Sequence, residues 1–141
     1  MRLRRAASAT ILAALAVFGA AAGSAAPAED SAATRTVRVT LEEFTLVPSP
    51  RRIAAGRVTF VIRNAGTITH ELVVIKTTKA PGRLPVRGAR ASERGRIGEV
   101  SSIAPGKTKR LTLNLTAGKL VLICNLSGHY QAGQFSGFTV R

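Results

Sequence analysis

With 141 residues, one cysteine, and 21 lysines and arginines against seven aspartates and glutamates, the chain has material for about one domain and none for an internal disulfide. Its formal charge of +14 points to anionic partners or surfaces and says nothing about fold. A thiol that cannot pair within the chain is free, intermolecular or bound to something, so the lone cysteine is the first residue to account for.

The chain opens on Met1-Arg2-Leu3-Arg4-Arg5, a basic segment, followed from Ala6 to Ala22 by an Ala/Leu-rich stretch without a charge. Small residues come next, and Ala26-Pro27-Ala28 ahead of Glu29-Asp30 forms an A-x-A cleavage pattern. The expectation is an export signal over residues 1–28, cleaved after Ala28, with an uncleaved membrane anchor as the alternative. No cysteine stands near that site for lipid attachment, and Arg4-Arg5 followed by Ala-Ala matches a twin-arginine signal poorly. Removal of the leader would leave 113 residues with 18 basic and seven acidic side chains. The product would be a protein of the periplasm, or of the extracytoplasmic face, or secreted.

Residues 29–36 are small and polar and read as a flexible lead-in to a domain over 37–141. Val37, Val39 and Leu41 alternate with Arg38 and Thr40, the period-2 signature of a half-buried strand. Pro48-Ser49-Pro50 breaks the pattern, and Ala55-Gly56 reads as a turn. Val58, Phe60 and Ile62 form a second strand, closed by Asn64-Ala65-Gly66. His70 opens a third, with Leu72 and Val74 on its own face and Glu71, Val73 and Ile75 on the other. The stretch from Lys79 to Gly98 carries six basic residues, one acid and repeated Gly and Pro. It reads as a long loop or insertion outside the core, functional or mobile. Strands resume at Val100–Ile103, Leu111–Leu115, Lys119–Cys124 and Phe138–Val140. About seven or eight short strands with Gly/Pro turns and no helical periodicity predict an all-β sandwich or barrel.

The remaining signal is chemical. Cys124-Asn125-Leu126-Ser127-Gly128-His129 sets one of two histidines five residues past the cysteine, and His70 begins a strand far upstream. A Greek-key sandwich can bring a strand start and a strand end together, with the loop from 125 to 134 folded over them. One thiolate and two imidazoles are the equatorial donors of a blue-copper site, whose weak axial ligand is usually methionine; the matching position here is Gln134. Taken singly, each residue has an ordinary alternative. Cys124 could be a buried small hydrophobe, His70 a core histidine, Gln134 a solvated amide. It is the set and its spacing that point to copper.

These residues resemble the cupredoxin family. Asn64 to His70 looks like its N-x-G-x-x-x-H segment, Ala104-Pro105-Gly106-Lys107 its P-G turn, and Cys124 to Gln134 its ligand loop. The resemblance spans about Val37 to Arg141 and is nearest to small exported plastocyanin/azurin-like proteins. It implies one copper ion, Cu(I)/Cu(II), held by His70, Cys124 and His129, with Gln134 axial through its amide oxygen as in the stellacyanin-like minority. It also implies that His129 is the electron port, with Leu126 and Tyr130 as patch members. Asn64 and Asn125 would hydrogen-bond across the two ligand loops and stiffen the site. One cysteine and two histidines leave nothing for a binuclear purple centre, a multicopper oxidase or a nitrite reductase, and too few thiolates for the usual structural zinc site.

The function expected is therefore one-electron shuttling without enzymatic bond chemistry; buffering or delivery of copper outside the cytoplasm is the alternative. The expected partner is a redox protein, acidic if the arginines of 79–98 steer it. An anionic membrane surface stays open as a second contact, nucleic acid is not expected because no aromatic platform is present, and the expected state is a monomer.

Overall fold

The computed structural model describes residues 35–141. The expected leader, 1–28, and the lead-in up to residue 34 lie outside the described residues. Strand β1, Arg35–Glu42, already takes in the last two positions expected in the lead-in. It is followed by β2 (Thr45–Ser49), β3 (Arg52–Ile53), β4 (Gly56–Asn64) and β5 (His70–Lys76). The 79–98 segment holds a short 3-10 turn at Pro81–Arg83 and a hairpin of β6 (Val86–Arg87) and β7 (Arg90–Ala91). The chain ends through β8 (Arg96–Ile103), β9 (Thr108–Leu115), β10 (Gly118–Ile123) and β11 (Phe135–Val140). Among the described residues no helix is long and apolar enough to cross a membrane.

Two sheets form a sandwich, in the orders β2-β1-β4-β9 and β3-β11-β10-β5-β8. The expected alternation places one row of each strand inward. Val37, Val39 and Leu41 of β1 and Val58, Phe60 and Ile62 of β4 meet Leu72 and Val74 of β5, Leu120 and Leu122 of β10, and Phe138 and Val140 of β11. Each such side chain contributes about 1.5–3 kcal/mol relative to exposure. With no tryptophan available, Phe60 and Phe138 supply the aromatic contact, edge to face at 5.7 Å.

The break expected at Pro48-Ser49-Pro50 falls within that triplet: β2 ends at Ser49, and Pro48, opposite Val39 on an edge strand, gives up no interior ladder bond. One expectation needs correcting. The 79–98 segment is not a loose loop outside the core. Leu84 and Ala91 are buried and pack with Val73, Ile75, Val121, Ile123 and Tyr130 in a second apolar cluster on the outer face of the β5/β10 sheet. The outward row of β5 is thereby buried as well, so the strand is covered on both faces.

Candidate metal centre

β5 runs antiparallel to β10, and β10 to β11. The start of β5, the end of β10 and the start of β11 therefore share one end of the sandwich. His70 opens β5, Cys124 follows the last residue of β10, and Gln134 precedes the first of β11. The Cys124 amide donates to the Gln134 carbonyl at 3.0 Å, which closes the loop between them. Inside the loop, His129 N–H donates to Leu126 O at 2.9 Å, and Gln134 N–H to His129 O at 3.0 Å. Gly128 and Gly133 take φ of 81° and 105°, values that favour glycine, and so permit the reversal that turns His129 inward.

His70, Cys124 and His129 present one donor atom each, all within 4.8 Å of one another. Cys124 Sγ stands 3.8 Å from His70 Nδ1 and 3.4 Å from His129 Nδ1. Metal–nitrogen and metal–sulfur bonds of about 2.0 and 2.3 Å in a trigonal plane set donors about 3.5–4 Å apart, so these residues fit a single ion. Both imidazoles offer Nδ1. His70 and Cys124 are fully buried and His129 is half-buried. Burial, then His129, holds the His70 pKa below its ordinary value against an opposing pull from Glu43, which leaves the ring neutral and able to ligate. Burial pushes the Cys124 thiol up, although the Glu71 amide donates to its sulfur at 3.4 Å.

Gln134 is fully buried, with its carboxamide beside the cluster. Nε2 donates to the Glu42 carbonyl at 2.8 Å and the Thr45 carbonyl at 3.2 Å, and lies 3.1 Å from His70 Nδ1. Turning the amide over would set an oxygen against two carbonyl oxygens. Oε1 must therefore face the cluster, 3.0 Å from His129 Nδ1.

Asn64 and Asn125, expected to hydrogen-bond across the two ligand loops, each hold a ligand segment through separate partners. Asn64 Nδ2 donates to Ile68 O and Ile103 O at 2.7 and 2.8 Å, and its Oδ1 accepts from the Gly66 amide. That ties the segment entering His70 to the end of β8. Asn125 reaches the β6–β7 hairpin instead: Oδ1 accepts from Ala91 N–H at 2.8 Å, and Nδ2 donates to Ala91 O and Glu93 Oε1. Its backbone amide donates to Glu71 Oε1 at 3.1 Å. Burial raises the Glu71 pKa, and the side chain points away from the ligand cluster, as expected of a strand neighbour of His70. Asn125→Ala is expected to cost about 2–3 kcal/mol in urea unfolding, because it removes the side-chain partner of the buried Ala91 N–H and C=O and of Glu93 Oε1, while the backbone bond to Glu71 is kept.

Tyr130 is 3% exposed and belongs to the second apolar cluster, so it is no part of a surface patch. Its hydroxyl donates to Pro81 O at 2.7 Å and accepts from the Leu84 amide at 2.9 Å. Leu126 is half-buried. The apolar neighbour of His129 is Phe44, from the turn between β1 and β2, 46% exposed and edge-on to the imidazole at 5.6 Å. The same turn carries Glu43, whose Oε1 lies 3.8 Å from His70 Nε2. Its carboxyl is lowered to about 2, first by the Thr67 amide. Neither residue shows a motif; the cue available was a Glu-Glu pair in an otherwise basic chain.

No protein-family model matches the chain. It is similar to the copper-resistant cuproprotein CopI of Pseudomonas aeruginosa, with 26% identity over 146 aligned positions, 82% of this chain and 81% of that protein. Reduced auracyanin from the photosynthetic bacterium Roseiflexus castenholzii superposes with a TM-score of 0.57 at 18% identity, covering 77% of this chain and 98% of that one. Rusticyanin from Thiobacillus ferrooxidans gives 0.53 at 18% identity, over 76% and 78% of the two chains. Sheet order, ligand-end geometry and these likenesses together establish that residues 35–141 have the cupredoxin-like fold.

Proposed function

We propose that the protein is an exported, monomeric, mononuclear type 1 copper protein that passes single electrons between partners. His70 and His129 through Nδ1, Cys124 through Sγ and Gln134 through Oε1 would hold the ion. The observation that carries this reading is the convergence of the His70, Cys124 and His129 donor atoms at one end of the sandwich. A copper ion held there supplies exchange between Cu(I) and Cu(II), which a thiolate and two imidazoles accommodate in one geometry. The chain's part is to keep that geometry still and dry. Asn64, Asn125 and the Glu71 amide hold the ligand segments, while His70, Cys124 and Gln134 lie out of water.

Electrons enter and leave through His129, half-buried against exposed Phe44 with Leu126 beside it. Arg83, Arg87, Arg90 and Arg94 are exposed on the 79–98 segment. The tip of that segment meets the ligand loop where Gly128 N–H donates to Ala89 O at 2.8 Å. Positive charge therefore lies next to the port and steers an acidic redox partner.

The name of the CopI relative supports a second reading, copper buffering or delivery. Against it stand two fully buried ligands and a chain whose single methionine is Met1. Adding Cu(II) to the purified protein decides between them. A stoichiometric intense visible thiolate–copper band with reversible reduction supports the shuttle, and a colourless protein rejects it. Metal that passes readily to a chelator favours delivery. With an acidic acceptor, electron-transfer rates should fall steeply as salt rises; rates indifferent to salt remove the acidic partner.

A further inference from the structure

The turn from Glu42 to Thr45 touches every candidate ligand except Cys124. Glu42 O and Thr45 O hold the Gln134 amide, Phe44 packs on His129, and Glu43 faces His70. Phe44 sits at φ 62°, a conformation that a non-glycine residue keeps only with support. Its support is contact with the site.

Glu43 is placed with unusual care for a surface side chain. Its Oε1 accepts from the Thr67 amide at 2.6 Å, the Ile68 amide at 3.0 Å and the Thr67 hydroxyl at 3.1 Å. The carboxylate occupies the space that a side chain at position 66 would need: a Cβ on Gly66 would lie 2.6 Å from Oε2 and 2.7 Å from Oε1. Opposite it, His70 is fully buried, and among the described residues its Nε2 has no hydrogen-bond partner.

We propose that Glu43 is the positioning residue for His70: its fixed negative charge keeps the ring proton on Nε2, presents the Nδ1 lone pair to the metal, and stabilises the oxidised state of the site. A neutral imidazole carries one N–H. With the proton on Nδ1, the Nε2 lone pair would face a carboxylate 3.8 Å away, and Nδ1–H would point at the Gln134 amide nitrogen 3.1 Å away, itself a donor. With the proton on Nε2 both conflicts disappear. An outer carboxylate that fixes the tautomer of a ligating histidine is a general device of metal sites. Here the anion sits beside the more deeply buried of the two histidines, so its charge also opposes the loss of positive charge on reduction.

The tautomer claim stands apart from the copper reading; the redox claim rests on it. Nitrogen-15 NMR of the metal-free protein at about pH 8, where the ring is neutral, tests the first. The expected result is a proton on Nε2 of His70, with Glu43→Gln moving the tautomer ratio about tenfold toward Nδ1–H. Gly66→Ala, which displaces the carboxylate without removing its charge, should move the ratio the same way and guards against a folding defect in the first variant. A wild-type proton on Nδ1, or a ratio unchanged in both variants, overturns the proposal. In the copper-loaded protein, Glu43→Gln should shift the redox equilibrium about tenfold toward the reduced form, with the visible band retained. An unchanged equilibrium overturns the redox claim. A protein that takes up no copper defeats the copper reading while leaving the tautomer result in place.

Discussion

Cys124→Ser is expected to abolish the visible thiolate–copper band and to weaken copper binding more than about 100-fold, since loss of an outer-shell partner alone costs 10–100-fold. The band arises from charge transfer out of the sulfur, so no neighbour can replace it. The described residues hold one cysteine, and the other two donors are imidazoles. The fold should survive. Serine differs little in volume, the site is fully buried, and a hydroxyl oxygen can still accept from the Glu71 amide that now donates to Sγ at 3.4 Å. A loss of about 1 kcal/mol in urea unfolding is the expected structural effect. Chelator competition on the folded variant then reads metal affinity alone. Retention of an intense band in Cys124→Ser would place the chromophore, and the metal, elsewhere.

The clustering of His70, Cys124 and His129 was legible because such donors are scarce. With one cysteine and two histidines in the chain, spacing had few alternatives to choose among. The strands were legible where one face meets the core and the other meets water, as in β1 and β4. Legibility failed where burial comes from a segment distant in sequence. The outer row of β5 is covered by Leu84, Ala91 and Tyr130, which stand too far apart among glycines, prolines and arginines to leave a period. Tyr130 read as a surface residue for that reason, and the side-chain partners of Asn125 could not be named because Ala91 and Glu93 lie more than 30 residues away. Glu43 and Phe44 escaped notice because a two-residue turn has no periodicity. Their importance comes from which loop they meet in space, 24 residues on for Thr67 and in the ligand loop for His129.

Gln134→Met should raise the reduction potential and lower the stability together, because the amide proposed as axial ligand also holds the β1–β2 turn. Toward the cluster, Oε1 is a hard donor that favours Cu(II); thioether sulfur is softer and favours Cu(I), so the redox equilibrium should move toward the reduced form. Away from the cluster, Nε2 donates to Glu42 O and Thr45 O, and methionine has no donor to offer either carbonyl. That loss should cost about 1–2 kcal/mol in urea unfolding of the metal-free protein. Gln134→Leu separates the two effects: it loses the same two donors but brings no sulfur. Equal destabilisation in both variants, with a band and potential in the methionine variant unlike those of the leucine variant, would assign the axial position to residue 134. A methionine variant of unchanged potential would leave Gln134 as a strut between the ligand loop and the β1–β2 turn. The copper would then be held by His70, Cys124 and His129 without it.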